Sequence, residues 1–226
     1  MFWQAFRNLT WPALALLLAL MLLPACLGGQ AQPYVHQYLL DYPPPRLSDL
    51  APLPAAVQVG RFSAAPELQS LNMFFAPQGQ ERDHYPYHRW LVNPDQLVSG
   101  VLLRDLVASG LFKAALGPGS LQQARFVMEG GVQSFAEEDQ GSRAQASLEL
   151  VITLLDTRQA ELYRRVLFQR TYRAEQAMSA QSGPALAAAM SRAMAALSPR
   201  IIKDVHAAMQ KRLAEGKPPL SKPAPQ

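Results

Sequence analysis

The 226 residues include one cysteine and four histidines, and Asp, Glu, Lys and Arg together make up only 17% of the chain. A single cysteine excludes an internal disulfide and any thiolate metal cluster, so the fold must stand on its core. There is no phosphate-cradling glycine loop, no G-x-S-x-G elbow and no dinucleotide fingerprint, which removes the common sequence marks of nucleotide, acyl-transfer and hydride chemistry. Long apolar runs are missing too. The longest, Ala13 to Leu23, would form a helix roughly 17 Å long against ~30 Å of hydrocarbon, too short for a stable span.

The position of that run gives it a meaning. Arg7 is the sole charged residue in Met1–Trp11, directly ahead of it, and this is the order of a secretory signal. The run ends in Leu23-Pro24-Ala25-Cys26, which resembles a lipobox, where a small residue precedes the cysteine that receives diacylglycerol before the signal is cut away. Cys26 is therefore expected to carry palmitate-like acyl chains. Each buried methylene contributes ~0.8 kcal/mol, so two or three chains hold almost permanently. Leu27 stands where lipoproteins kept in the inner membrane typically have aspartate, and by that resemblance the address is the outer membrane, facing the periplasm. From Leu27 to Gln32 the chain spans at most roughly 20 Å, which keeps the folded body near the membrane. The expected division is a signal peptide at 1–25, a lipidated N-terminus and tether at 26–33, one domain at 34–212 and a Pro/Lys-rich, disordered tail at 213–226.

An apolar fraction of 49% is that of a globular protein, and the formal charge is only +4. The basic residues form two thin groups, Arg164, Arg165, Arg170 and Arg173, then Lys203, Lys211, Arg212, Lys217 and Lys222. They read as a solvated face and tail rather than an anionic-lipid or nucleic-acid patch.

Tyr34–Leu40 is rich in aromatic and branched residues and predicts a strand that stops before Pro43-Pro44-Pro45; Ala55–Phe62 and Leu71–Ala76 predict two more. Asn93 as cap, Pro94 at the first turn and Asp95 beside it open a helix with Leu97, Val98, Val101, Leu102 and Leu106 inward and Arg104 and Asp105 outward, ending at Gly110. Leu111–Leu116 predicts a strand, and Ala124–Phe135, Ala144–Leu155 and Glu161–Tyr172 predict three adjacent antiparallel ones. Ala146, Leu148, Leu150, Ile152 and Leu154 alternate strictly in the middle one. Gly130-Gly131 marks a bulge or a close backbone approach. A last helix opens at Ser182-Gly183-Pro184 with a stripe of Leu186, Met190, Ala193, Leu197, Ile201, Val205 and Met209; Pro199 should kink or divide it, with Ser198 capping the second half. The fold class that results is α/β, a single domain with a mixed, largely antiparallel sheet and two main helices packed on it.

Candidate chemistry is sparse. Pro86, Tyr85 and Tyr87 place His84 and His88 on an extended segment, ~13 Å apart and too far to share a metal. Glu137-Glu138-Asp139 precedes Gln140-Gly141-Ser142 and reads as a strand-connecting loop. In Tyr87-His88-Arg89-Trp90 the indole covers the sheet as the chain enters the helix; the alternative is a partner-binding hot spot of Tyr87 and Trp90. No catalytic residue, cofactor or metal is expected.

Tyr38-Leu39-Leu40, Arg89-Trp90 leading through Pro94 and Leu97 to Leu106, Ser109-Gly110-Leu111-Phe112, and later Gly130 to Phe135, Leu148 to Leu155, Phe168 and the alanine-rich final helix together resemble the ABC-type transport auxiliary lipoproteins. The resemblance covers nearly all of the mature chain and implies a mixed-sheet α/β domain without an ATPase motif of its own. It also implies a non-enzymatic role docking a periplasmic MCE-domain protein at the outer membrane, and through it an ABC permease and ATPase, in the movement of phospholipid or another hydrophobic molecule. Nucleic acid is not an expected partner, and a homo-oligomer is left open. The rival expectation is a pilotin-type or assembly lipoprotein of another envelope complex.

Overall fold

The computed structural model describes residues 33–76, 81–139 and 144–215. The expected signal peptide, Cys26 and the expected tether as far as Gln32 lie outside the described residues, as does the chain from 216 onward. The chain divides into two compact units, Met1–Tyr34 and Val35–Gln226, and every element described below belongs to the second.

Eight strands form one mixed sheet: β1 (His36–Tyr38), β2 (Leu53–Ala64), β3 (Asn72–Ala76), β4 (Asp83–Trp90), β5 (Phe112–Leu116), β6 (Phe126–Asp139), β7 (Ala144–Asp156) and β8 (Val166–Ala177). Helix α1 (Pro94–Ser109) precedes β5, a one-turn helix α2 (Leu162–Arg165) precedes β8, and α3 (Gly183–Glu215) closes the chain. Strand β6 organises the sheet. One of its edges pairs with β7 along its whole length, and β7 carries β8; both pairings are antiparallel and are the longest in the fold. Its other edge is shared by two strands, because β2 runs parallel to Phe126–Val132 while β3 meets only Glu137 and Glu138. The sheet therefore forks, with β5 beyond β2 on one branch and β4 then β1 beyond β3 on the other.

The alternation in β7 works as expected. Ala146, Leu148, Leu150, Ile152 and Leu154 are buried on one face, and the whole stripe of α3 from Leu186 to Met209 is buried with them in the single hydrophobic core. Leu148, Leu150, Ile152 and Leu154 on β7 with Leu186, Leu197, Ile201 and Ile202 on α3 are fully buried, and these eight side chains alone contribute roughly 12–24 kcal/mol of transfer free energy. Helix α1 packs on β2 and β5 and ends at Gly110, whose φ of 64° is left-handed and whose N–H reaches the Val107 carbonyl. Phe62 lies beside Gly130, where a Cβ would meet its ring within 2.2 Å, so this glycine marks a close approach.

Several expectations are corrected. Asp105 does not face out from α1: it is fully buried and accepts hydrogen bonds from the Tyr42 and Ser198 hydroxyls and from Arg104. A 3.6-residue period cannot distinguish an exposed carboxylate from one turned inward toward hydroxyls that arrive from other elements. Ser198 consequently caps nothing, and α3 runs through Pro199 as one helix to Glu215, three residues into the expected tail. Glu161 does not begin a strand; α2 intervenes and β8 starts at Val166. Glu137 and Glu138 belong to β6 itself rather than to a loop, and Glu137 is buried. The extended segment around Tyr85 is a true strand, β4.

Candidate functional site

The branch β1–β4–β3 carries most of the residues that the sequence marked. β1 pairs with β4 in parallel, with His36 opposite His88, Gln37 opposite Arg89 and Tyr38 opposite Trp90, and the Leu91 N–H continues the ladder to the Tyr38 carbonyl. Three residues form a short edge strand with no strand on its outer side among the described residues, the geometry at which a partner can add a strand of its own.

The parallel register stacks His36 on His88, ring centroids 5.2 Å apart and 16° from coplanar. The Tyr38 hydroxyl lies 2.8 Å from His88 Nδ1, and Tyr85 meets His88 edge-on. Tyr85 in turn donates to Glu137 Oε2 at 2.6 Å; burial, then the hydrogen bond and charge of Glu137, raise its phenol well above the usual tyrosine range. The N-terminus of α3 leans on the same histidine, since a Cβ on Gly183 would stand 2.5 Å from His88 Cγ. His88 is thus enclosed by three elements. His84 lies further along β4, edge-on to Phe74, so the pairing realised in the fold is His36 with His88, not His84 with His88. The fourth histidine, His206, is buried on α3 and donates from Nε2 to the Ala51 carbonyl.

Tyr87 is 48% exposed on β4, and Leu39 and Leu91, level with each other in the β1–β4 register, are exposed about four residues further along. Trp90, its expected companion, is fully buried and packs edge-on against Phe135 at 4.9 Å. It covers the sheet, and in this fold it presents no surface to a partner. Tyr87 and Trp90 therefore do not share one surface, the first being half exposed and the second fully buried. Nothing in the sequence pointed to the His36–His88 stack or the Tyr85–Glu137 bond; each joins strands far apart in the chain.

An open groove of about 610 Å³ lies along β2 where β5 has ended, lined by Gln58, Arg61, Phe62, Asp95, Gln96 and Gln123 among others. Its polar residues are mainly amides and hydroxyls, with no histidine or carboxylate pair, a poor set for acid–base chemistry. Among the described residues no three His, Cys, Asp or Glu side chains are grouped to hold a metal, and no helix is long and apolar enough to cross a membrane.

The family model of the ABC-type transport auxiliary lipoprotein component matches residues 38–202, from β1 into α3. The chain belongs to this family. Membership associates it with an ABC-type transport system, as an auxiliary component, and with a lipid-anchored place in the cell envelope. Among solved structures the chain is similar to a Xanthomonas campestris protein assigned to the DUF330 family, at 18% identity and a TM-score of 0.72, with 80% of this chain and 99% of that one covered. An uncharacterized protein is similar at 11% identity and a TM-score of 0.59, with 76% and 99% covered. At these identities the likeness concerns the fold. No curated protein matches the chain.

Proposed function

We propose that the chain is the outer-membrane, non-catalytic auxiliary subunit of an MCE/ABC-type system that moves phospholipid between membranes, anchored through acylated Cys26 and docking the periplasmic MCE component. The observation that carries this reading is the family match over the folded domain, combined with a lipobox-like Cys26 ahead of it. The docking face is the β1–β4 edge: among the described residues its outer ladder is open, Leu39, Tyr87 and Leu91 are exposed along it, and it begins ten residues after Cys26. Exposed tyrosine and leucine side chains along one edge are residue types an interface recruits.

Two experiments test the two halves of the proposal. Metabolic labelling with palmitate should mark the wild-type chain and not Cys26→Ala; labelling of the variant would overturn the anchor. A photo-crosslinker at position 87 in the intact envelope should trap an MCE-domain protein, whereas one at Glu175, exposed on β8, should not. Trapping of a secretion or pilus component instead would establish the pilotin-type alternative.

A further inference from the structure

The opposite end of the sheet carries a feature that folding does not require. Helix α2 buries none of its four residues, and Leu162 and Tyr163 are each 73% exposed, with Val166 also exposed beside them. In the loop before β6, Leu121 is 99% exposed. The two loops meet at the start of β6, where the Thr157 N–H and hydroxyl both donate to the Arg125 carbonyl.

Cations are interleaved with these apolar side chains. Arg158 has no carboxylate partner among the described residues. Arg165 donates two of its N–H groups to the Gln159 and Ala160 carbonyls and has no carboxylate partner among the described residues. Arg164 pairs with Glu161 at 3.1 Å and lies over the Tyr163 ring. The end of α3 joins them, with Arg212 donating to the Arg164 carbonyl and Lys211 exposed alongside. Residues from both basic groups of the sequence thus converge on one apolar tip.

We infer that this tip is a second membrane contact, which enters the interface of an anionic phospholipid surface with Leu121, Leu162 and Tyr163 while Arg158, Arg164 and Arg165 meet the headgroups. Exposed leucines on loops, a tyrosine at the polar boundary and arginines that can reach back to phosphate are the set an interface selects. Chain length allows it. The registers place β1 level with the far half of β6, eight or nine residues, about 30 Å, from the start of that strand. The ten residues from Cys26 to His36 extend up to about 36 Å, so lipid and tip can reach the same membrane. That last step rests on the Cys26 anchor proposed above; the tip's affinity for lipid does not.

The core residues run from Leu40 to Met209, so residues 35–226 retain the whole core and can be produced without the cysteine. This piece should co-sediment with phosphatidylcholine vesicles containing phosphatidylglycerol, and less with phosphatidylcholine alone or at high salt. Arg158→Glu and Arg165→Glu should each weaken recovery about five-fold or more, and Leu162→Ser with Tyr163→Ser should abolish it, with thermal melting unchanged. Tyr163→Trp should shift its emission to the blue when the anionic vesicles are added. Equal recovery with and without phosphatidylglycerol, tip variants that bind as well as wild type, or an unshifted tryptophan would each overturn the inference. So would a Tyr163 photo-crosslink in the envelope that captures protein and no lipid. The vesicle and fluorescence outcomes do not depend on whether Cys26 is acylated, so they separate this inference from the proposed anchor.

Discussion

The Ser198 hydroxyl on α3 and the Tyr42 hydroxyl before β2 both donate to Asp105 Oδ2 on α1, with Arg104 bound to the other oxygen. One buried carboxylate thereby joins both long helices to the proline-rich loop. Asp105→Ala would leave two buried hydroxyls unpaired and should cost about 3–5 kcal/mol, as broken buried polar networks do. Ser198→Ala should cost only ~1 kcal/mol, because Asp105 keeps its other donors. Urea titration of the two variants measures the difference, and equal losses would contradict the network.

Alkaline stability should fall early. Burial, then hydrogen bonding to Asp105, Glu137 and Asp204, raises the phenols of Tyr42, Tyr85 and Tyr172 above their ordinary value of 10.0. A raised folded pKa means these groups stabilise fully below pH ~10, where both states are protonated. Above it the unfolded chain releases protons that the folded chain retains, and stability declines with each further rise. Melting temperatures taken from pH 9 to 11 should drop steeply, and Tyr42→Phe should make the drop shallower.

At the acid end the sign reverses. The Arg125 guanidinium, bonded at 2.7 and 2.9 Å, holds the Asp156 carboxyl below its usual range. Its contribution is complete above pH ~4 and is lost as pH falls through the lowered folded value. Asp156→Asn should lower stability at neutral pH and reduce its fall in acid, as followed by circular dichroism.

Gly183→Ala should destabilise by about 1–3 kcal/mol despite alanine's better helix propensity, because the added methyl strikes His88. His88→Ala in the same chain should recover part of the loss. A double-mutant cycle without coupling would show that the α3 N-terminus does not press on β4.

Trp90→Ala should cost about 3–5 kcal/mol and Trp90→Phe less than half of that, since the buried indole N–H has no acceptor among the described residues to lose. Denaturant midpoints of the two variants check this.

Much of the fold was legible because its signals are local. The Asn93-Pro94 start and Gly110 stop of α1 depend on residues adjacent in sequence, the β7 alternation on a period of two, and the α3 stripe on a period of 3.6. What escaped were side chains whose partners lie elsewhere in the chain. Asp105 resembled an exposed helix residue, Glu137 resembled a turn, and the Leu162–Arg165 helix resembled the opening of a strand, because hydropathy records how polar a residue is and not what it meets.

The residues themselves determined the class of domain and the order of most of its elements, since cap and periodicity are written along neighbouring positions, and the proposed anchor rests on the lipobox-like stretch ending at Cys26. Tertiary structure decided that β6 shares one edge between β2 and β3, that Trp90 belongs to the core while Tyr87 remains outside, and that cations from two separate groups meet beside Leu162 and Tyr163. The second outcome depends on which way side chains face, which a one-residue slip would reverse, and the other two on which elements the fold brings together.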